Sequence, residues 1–189
     1  DAALAMAMGH VILREFHLDR QAAYFEDYAR KYTDMPMLVR LDEKDGHLVP
    51  GRMLRADDFD GNLGESNNPD WKTVAYDEAS GQIVAPNGSI GFRWGEEGKL
   101  RLSQILDGDH DEVVGVDFPY FGGAATGDFV KCDHPEVLTR NIPARRVKLA
   151  DGNEVLVATV FDLFCANYGL DRGLGGDWVS KDFNDDSPY

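Results

Sequence analysis

The chain has 189 residues, with 19 Lys and Arg against 34 Asp and Glu, for a formal net charge of −15 at pH 7. Nucleic acids and anionic lipid surfaces are held mainly by basic side chains; with Arg145-Arg146-Val147-Lys148 as its densest basic spot, this chain is expected to bind no nucleic acid and to insert into no membrane. Hydrophobic residues at 43% and aromatics at 11% are too many for a disordered acidic tail and, at this length, suit one globular domain with its own core.

Residues 1–33 predict a helix pair. Leu4, Met8, Val11, Ile12 and Phe16 recur at helical spacing, so residues 2–16 should bury that face, with Asp1 at the N-cap accepting a first-turn amide proton. Asp19 should cap the second helix, in which Tyr24, Phe25, Tyr28 and Tyr32 form an aromatic stripe expected in the core. Glu26 with Arg30, and Asp27 with Lys31, stand four apart as ion pairs for the exposed side. The short connection His17-Leu18-Asp19 implies an antiparallel or steeply angled pair.

From Met35 the period becomes that of a strand. Met37, Val39 and Leu41 alternate with Leu38, Arg40 and Asp42, a turn falls at 43–46, and Leu48 to Leu54 returns with Pro50-Gly51 as a bulge or edge feature. Residues 55–70 read as an acidic loop able to hold one helical turn, and a second hairpin is expected around 77–81. The stretch 86–99, with four glycines beside Phe92 and Trp94, suits an ordered surface loop. Strands are expected at 100–105 and 113–118 around the acidic turn 107–112. Val147, Leu149, Val155 and Val157 flank Asp151-Gly152, the pattern of a two-residue type I′ hairpin. Thr159 and Asp162 have capping-box spacing for a helix through Tyr168, with Gly169 as its C′ residue. The 34–172 stretch is thus a strand-rich region with one short helix, 173–189 a mobile tail, and the fold class α+β.

The longest apolar run, Ala2 to Leu13, is broken by Gly9 and His10 and falls short of the roughly 20 residues that span a bilayer. It lacks the flanks of a signal peptide. Opening on Asp1 inside a helical pattern, the chain is expected to be a piece of something larger. Two cysteines, Cys132 and Cys165, make no disulfide framework and fit a reducing compartment, and they are too few to hold an iron–sulfur cluster alone.

Motifs with chemistry are sparse. Before Gly98-Lys99 a phosphate loop would need Gly where Arg93 stands and Ser or Thr where Leu100 stands. Gly173-Leu174-Gly175-Gly176 meets Trp178 instead of a third fingerprint glycine. Asp107, Asp109 and Asp111 imitate half a calcium loop, but Glu112 and Phe118 fill its Gly and Glu positions, leaving at most a weak divalent-cation contact. Cys132 and His134 have no second ligand pair nearby, and His10 and His17 stand two helical turns apart. Cys165, between Phe164 and Ala166, reads as a buried small hydrophobe. These motifs name no catalytic residue and no metal ligand.

Longer strings are more specific. The run Asp1 to Asp19, Tyr32-Thr-Asp-Met-Pro-Met-Leu-Val, Gly51-Arg-Met-Leu-Arg, Asn68-Pro-Asp-Trp-Lys-Thr-Val-Ala, Ala85-Pro-Asn-Gly-Ser-Ile-Gly-Phe-Arg-Trp-Gly, Phe118-Pro-Tyr-Phe-Gly-Gly and Ala166-Asn-Tyr-Gly-Leu resemble the catalytic alpha subunit of membrane-bound respiratory nitrate reductase. The resemblance covers essentially the whole chain, least clearly at 100–112 and in the tail. It implies a molybdenum enzyme that reduces nitrate to nitrite, with bis-molybdopterin guanine dinucleotide and a 4Fe-4S cluster in the parent subunit and neither expected on this chain alone. It also implies electrons from quinol through an iron–sulfur beta subunit and a membrane haem subunit, and a cytoplasmic location on the inner face of the membrane. By the same resemblance, residues 1–33 belong to the cofactor-binding part of the parent. Asp1 is the residue left from a Gly-Thr-Asp turn that lies against a guanine dinucleotide arm, where a carboxylate accepts from guanine N–H groups. The family's metal and cluster ligands fall upstream of Asp1. The alternative is a self-sufficient acidic interaction module using the 86–99 loop, which partner capture lost with Phe92 and Trp94 changed to Ala would support.

Overall fold

The computed structural model describes residues 1–45, 47–59, 73–77, 82–85, 100–101, 113–114, 128–134 and 138–170. The glycine-containing stretch at 86–99, the acidic turn at 107–112 and the tail from 173 lie outside them.

The chain opens with α1 (Ala2–Ile12), which continues without a break into a π-helical segment, Leu13–Asp19. The first helical run is therefore longer than predicted. The chain turns at 20–22, where Gln21 takes a positive φ of 46°, and α2 follows at Ala23–Tyr32. Asp19 is thus the last residue of the π-helical segment and not the cap of α2. Ala22 holds the cap position, without a side-chain hydrogen bond.

The period-two pattern after Met35 yields β1 (Leu38–Lys44) and β2 (His47–Met53), paired antiparallel. Lys44 faces His47 across a two-residue turn in which Asp45 has a φ of 53°. The register slips between Leu41↔Pro50 and Val39↔Met53, which puts an extra residue in β2 beside Gly51, as the Pro-Gly step suggested. A Cβ at Gly51 would sit 2.1 Å from Asp42 Oδ2 and 3.0 Å from the Arg40 carbonyl oxygen, so the Asp42 carboxylate would have to move to admit one.

A 3-10 turn at Ala56–Asp58 follows, then the short hairpin of β3 (Ala75–Asp77) and β4 (Gln82–Val84). The strands β5 (Leu100–Arg101) and β6 (Val113–Val114) pair with each other. The chain then forms β7 (Asp128–His134), β8 (Leu138–Lys148), β9 (Glu154–Thr159) and α3 (Val160–Asn167). The helix at one end, the antiparallel hairpins and the short helix at the other make the class α+β. The central sheet has the order β2-β1-β9-β8-β7, and it curls enough to bring its two outer strands, β2 and β7, close together.

Both sides of this sheet are covered. Along β9, Val155 and Val157 pack into one cluster while Leu156 and Ala158 pack into the other, the two-residue alternation of a strand. The first cluster holds Leu38, Leu54, Val74 and Val157, all fully buried; the second holds Leu41, Ala144, Ala158 and Ala166. Leu38 is therefore as deep as Val39 and Leu41, and β1 is not the one-sided strand its sequence suggested.

The β8–β9 hairpin forms at the predicted place with a different turn. Leu149 N–H donates to Asn153 C=O at 2.8 Å and Gly152 N–H to Leu149 C=O at 3.0 Å, enclosing Ala150, Asp151 and Gly152. Gly152 has a φ of 86° and Asp151 is not at positive φ, so this is a three-residue loop closed by a left-handed glycine and not type I′.

Candidate functional site

The residue singled out by resemblance, Asp1, stands exposed at the N-cap of α1. Its carbonyl accepts the first helical hydrogen bond, from Ala5 N–H at 3.1 Å. Its carboxylate, however, makes no capping hydrogen bond, contrary to the expectation that it would take a first-turn amide proton. No acidic side chain follows in the first turn. The helix thus opens with backbone donors and a carboxylate that are not spent on each other, so both an acceptor and a set of N–H groups face outward at one point.

Behind Asp1 the helix packs inward through an unexpected face. Met6, Gly9, His10, Leu13 and His17, three or four apart save for the adjacent Gly9-His10, are half-buried or buried along one side of the helical run. Gly9 lies against the Tyr168 ring so closely that a Cβ would meet Tyr168 Cε1 at 2.1 Å. Next to it, His10 Nδ1 donates to the Tyr168 carbonyl at 2.8 Å, tying α1 to the end of α3. Leu13 joins Ala29, Phe161, Cys165 and Leu170 in a third core cluster, which locks the helical segments onto α3. Cys165 is fully buried, the small hydrophobe its neighbours implied.

His17 is the polar member of this cluster. Its side chain is 1% exposed, its Nδ1 lies 3.6 Å from Glu26 Oε1, and its ring meets Phe161 edge-on with centroids 5.0 Å apart. Glu26, predicted as part of a surface pair with Arg30, turns toward this imidazole. His17 sits in a π-helical turn, a rare geometry that often accompanies function. No sequence periodicity signals such a turn, and only the two-turn separation of His10 and His17 hinted that both share one face.

The stripe expected to be buried is the one left outside. Leu4 is 67% exposed and Met8 58%, and Val11, Ile12 and Phe16 are also exposed; no residue of α1 itself is buried. On α2, Tyr24 is 80% exposed and Tyr28 is exposed too, their rings 6.0 Å apart, while Phe25 and Tyr32 are half-buried. The aromatic stripe is therefore split between core and surface.

Among the described residues, no group of three or more His, Cys, Asp or Glu side chains is assembled to hold a metal ion. The described residues thus assemble no ligand set for molybdenum or an iron–sulfur cluster, and Cys132 and His134 both fall on β7. No helix among the described residues is long and apolar enough to cross a membrane.

No family model matches the chain. Individual proteins do. The respiratory nitrate reductase 2 alpha chain of Escherichia coli is 54% identical across the whole of this chain, which covers 16% of that protein. The respiratory nitrate reductase 1 alpha chain of the same organism is 52% identical, again over 100% of this chain and 16% of its own length. The respiratory nitrate reductase alpha chain of a Bradyrhizobium species is 43% identical over the whole chain and 18% of its own length. The chain therefore spans about one sixth of the relatives it matches. Identity at that level over the full chain leaves one assignment: the chain belongs to the respiratory nitrate reductase alpha-chain family.

Proposed function

We propose that these 189 residues serve as a segment of a respiratory nitrate reductase alpha chain, an oxidoreductase that reduces nitrate to nitrite in anaerobic respiration. The observation that carries this reading is the 54% identity to such an alpha chain across the full sequence. In the whole protein, bis-molybdopterin guanine dinucleotide would hold the molybdenum that exchanges electrons with nitrate, and a 4Fe-4S cluster would relay them. The electrons would come from quinol through an iron–sulfur beta subunit and a membrane haem subunit, with the complex on the cytoplasmic face of the membrane. By the resemblance, the ligands to both metal groups lie outside these residues, so the 189 residues alone should not turn nitrate over.

What this chain would contribute is a cofactor contact. Residues 1–33 would belong to the cofactor-binding part of the whole subunit. An exposed carboxylate at Asp1, with no intrahelical amide to accept from, suits the N1–H and amino donors of guanine, and the neighbouring amides suit an anionic group. The inner-face tie from His10 to Tyr168 would fix the angle at which that carboxylate is presented.

Two measurements test the reading. The full-length protein should reduce nitrate with reduced viologen while the 189-residue chain does not; turnover by the short chain would overturn it. In the full-length protein, Asp1→Asn should lower bound guanine nucleotide, released by acid and counted against protein, with the fold kept by circular dichroism. Unchanged nucleotide content would remove Asp1 from the site without touching the rest.

A further inference from the structure

The helix α1 lacks the polar outer face of a surface helix. An amphipathic helix buries its apolar stripe and shows its polar one. Here the face turned inward carries Met6, Gly9, His10 and, in the π-helical continuation, Leu13 and His17, whereas the face turned outward is also apolar and carries Leu4, Met8, Val11 and Ile12. Among the described residues no core cluster takes up the outward side, and the inward side cannot rotate out, because Gly9 abuts Tyr168 and His10 is bonded to the Tyr168 carbonyl.

The outward stripe has a sharp boundary. Charged side chains resume at Arg14 and Glu15, and beyond them Arg20 lies over the Phe16 ring with its guanidinium carbon 5.2 Å from the centroid. Residues 2–12 contain no Lys, Arg, Asp or Glu at all. A helix apolar all round belongs in the interior of a large protein or in lipid. Attraction to anionic lipid needs basic residues beside the apolar face, and a chain of net charge −15 with none on this helix lacks them. The relatives that match this chain from end to end are several times longer, so most of their fold lies outside these residues and is available to cover the helix.

We propose that the outward stripe of α1, Leu4, Met8, Val11 and Ile12, ending at Phe16, is an intramolecular docking surface covered by an apolar face of the alpha chain outside these 189 residues. The proposal rests on the reading of the chain as a segment of such a protein. It makes α1 a central helix of the whole subunit, held on one side by α3 and on the other by the covering segment, with Asp1 at its tip.

Hydroxyl-radical oxidation of the purified full-length protein, mapped by mass spectrometry, tests this without any substitution. Met8 and Phe16 are intrinsically reactive; in the native protein they should oxidise on the order of tenfold more slowly than in the urea-unfolded protein, as Phe161 should. Oxidation of Met8 and Phe16 at close to the unfolded rate, with Phe161 protected, would overturn the proposal. Protection that persists at dilutions where sedimentation gives one alpha chain per particle supports an intramolecular cover; protection lost on dilution to that state would assign the face to a second copy and overturn it. Protection that appears only with added vesicles would assign it to lipid and overturn it likewise. Nitrate reduction is measured on the same preparation: an active protein with an exposed stripe refutes the docking surface alone, and an inactive protein with a covered stripe refutes the functional reading alone.

Discussion

At the scale of single residues, close approaches and charge pairs set the tightest constraints. Ala is a better helix former than Gly by roughly 1 kcal/mol, yet Gly9→Ala should destabilise the chain by about 1–2 kcal/mol, because the added methyl falls on the half-buried Tyr168 ring. The urea midpoint should drop, and in a Tyr168→Ala background the Gly9 substitution should instead stabilise by up to about 1 kcal/mol. Asp58 offers a test in pH. Its carboxylate takes two hydrogen bonds from the Arg52 guanidinium and one from Arg55 N–H, and the Arg52 bonds hold its pKa below the usual 3.8. A depressed carboxylate pKa gives stability that is present above the unfolded value and lost as pH falls through the folded one. Asp58→Asn should therefore cost up to about 1 kcal/mol near neutral pH, modest because Arg52 is half exposed, with the difference from wild type shrinking below the normal carboxylate range. Urea titrations at both ends of that range check it. Neither constraint was legible in the sequence: Tyr168 lies 159 positions from Gly9, and a bidentate pair six residues apart depends on how β2 meets the 3-10 turn.

Elements whose stabilising bonds are local were the ones the sequence displayed. In α3, Asp162 N–H donates to Thr159 Oγ1 at 3.0 Å, and the Thr159 hydroxyl donates to Asp162 Oδ2 at 2.6 Å. At the other end Leu170 N–H bonds to Cys165 C=O and Gly169 N–H to Ala166 C=O, the paired closure that a left-handed C′ glycine permits, here with φ 65°. Thr159→Ala should cost about 1–2 kcal/mol, since it removes the cap and a hydroxyl partner of a buried carboxylate. Gly169→Ala should cost about 1 kcal/mol through backbone strain. Thermal unfolding of each variant measures both. The hairpins of β1–β2 and β8–β9 were visible for the same reason, as turn chemistry flanked by alternation. In contrast, β7 and the first half of β8 mix charged, polar and apolar residues without a clean period, so pairing along Asp128–His134 could not be read from sequence. The periodicity of α1 was real, but a period says only that a face is apolar, and not which partner buries it.

At the scale of the whole molecule, the 189 residues have two kinds of apolar surface. One is consumed by the two sides of the sheet and the cluster around Phe161; the other, on α1, is exposed. The chain prepared alone should consequently bind an apolar dye and self-associate, and Met8→Lys with Ile12→Glu should reduce both while leaving the sheet's circular dichroism intact; light scattering and dye fluorescence decide. Hydrogen exchange should grade the same way, slowest in central β9 and fastest in α1. The charge of −15 opposes association of the segment in general, against the pull of the exposed apolar stripe on α1. The form of any association depends on the outer strand β2, which lies close to β7. This outer strand has Pro50, which has no N–H to offer, and a bulge beside Gly51. A neighbouring chain therefore finds no straight row of donors and acceptors on which to extend the sheet. Clusters of the isolated segment should accordingly be amorphous and reversible with mild detergent, rather than fibrillar.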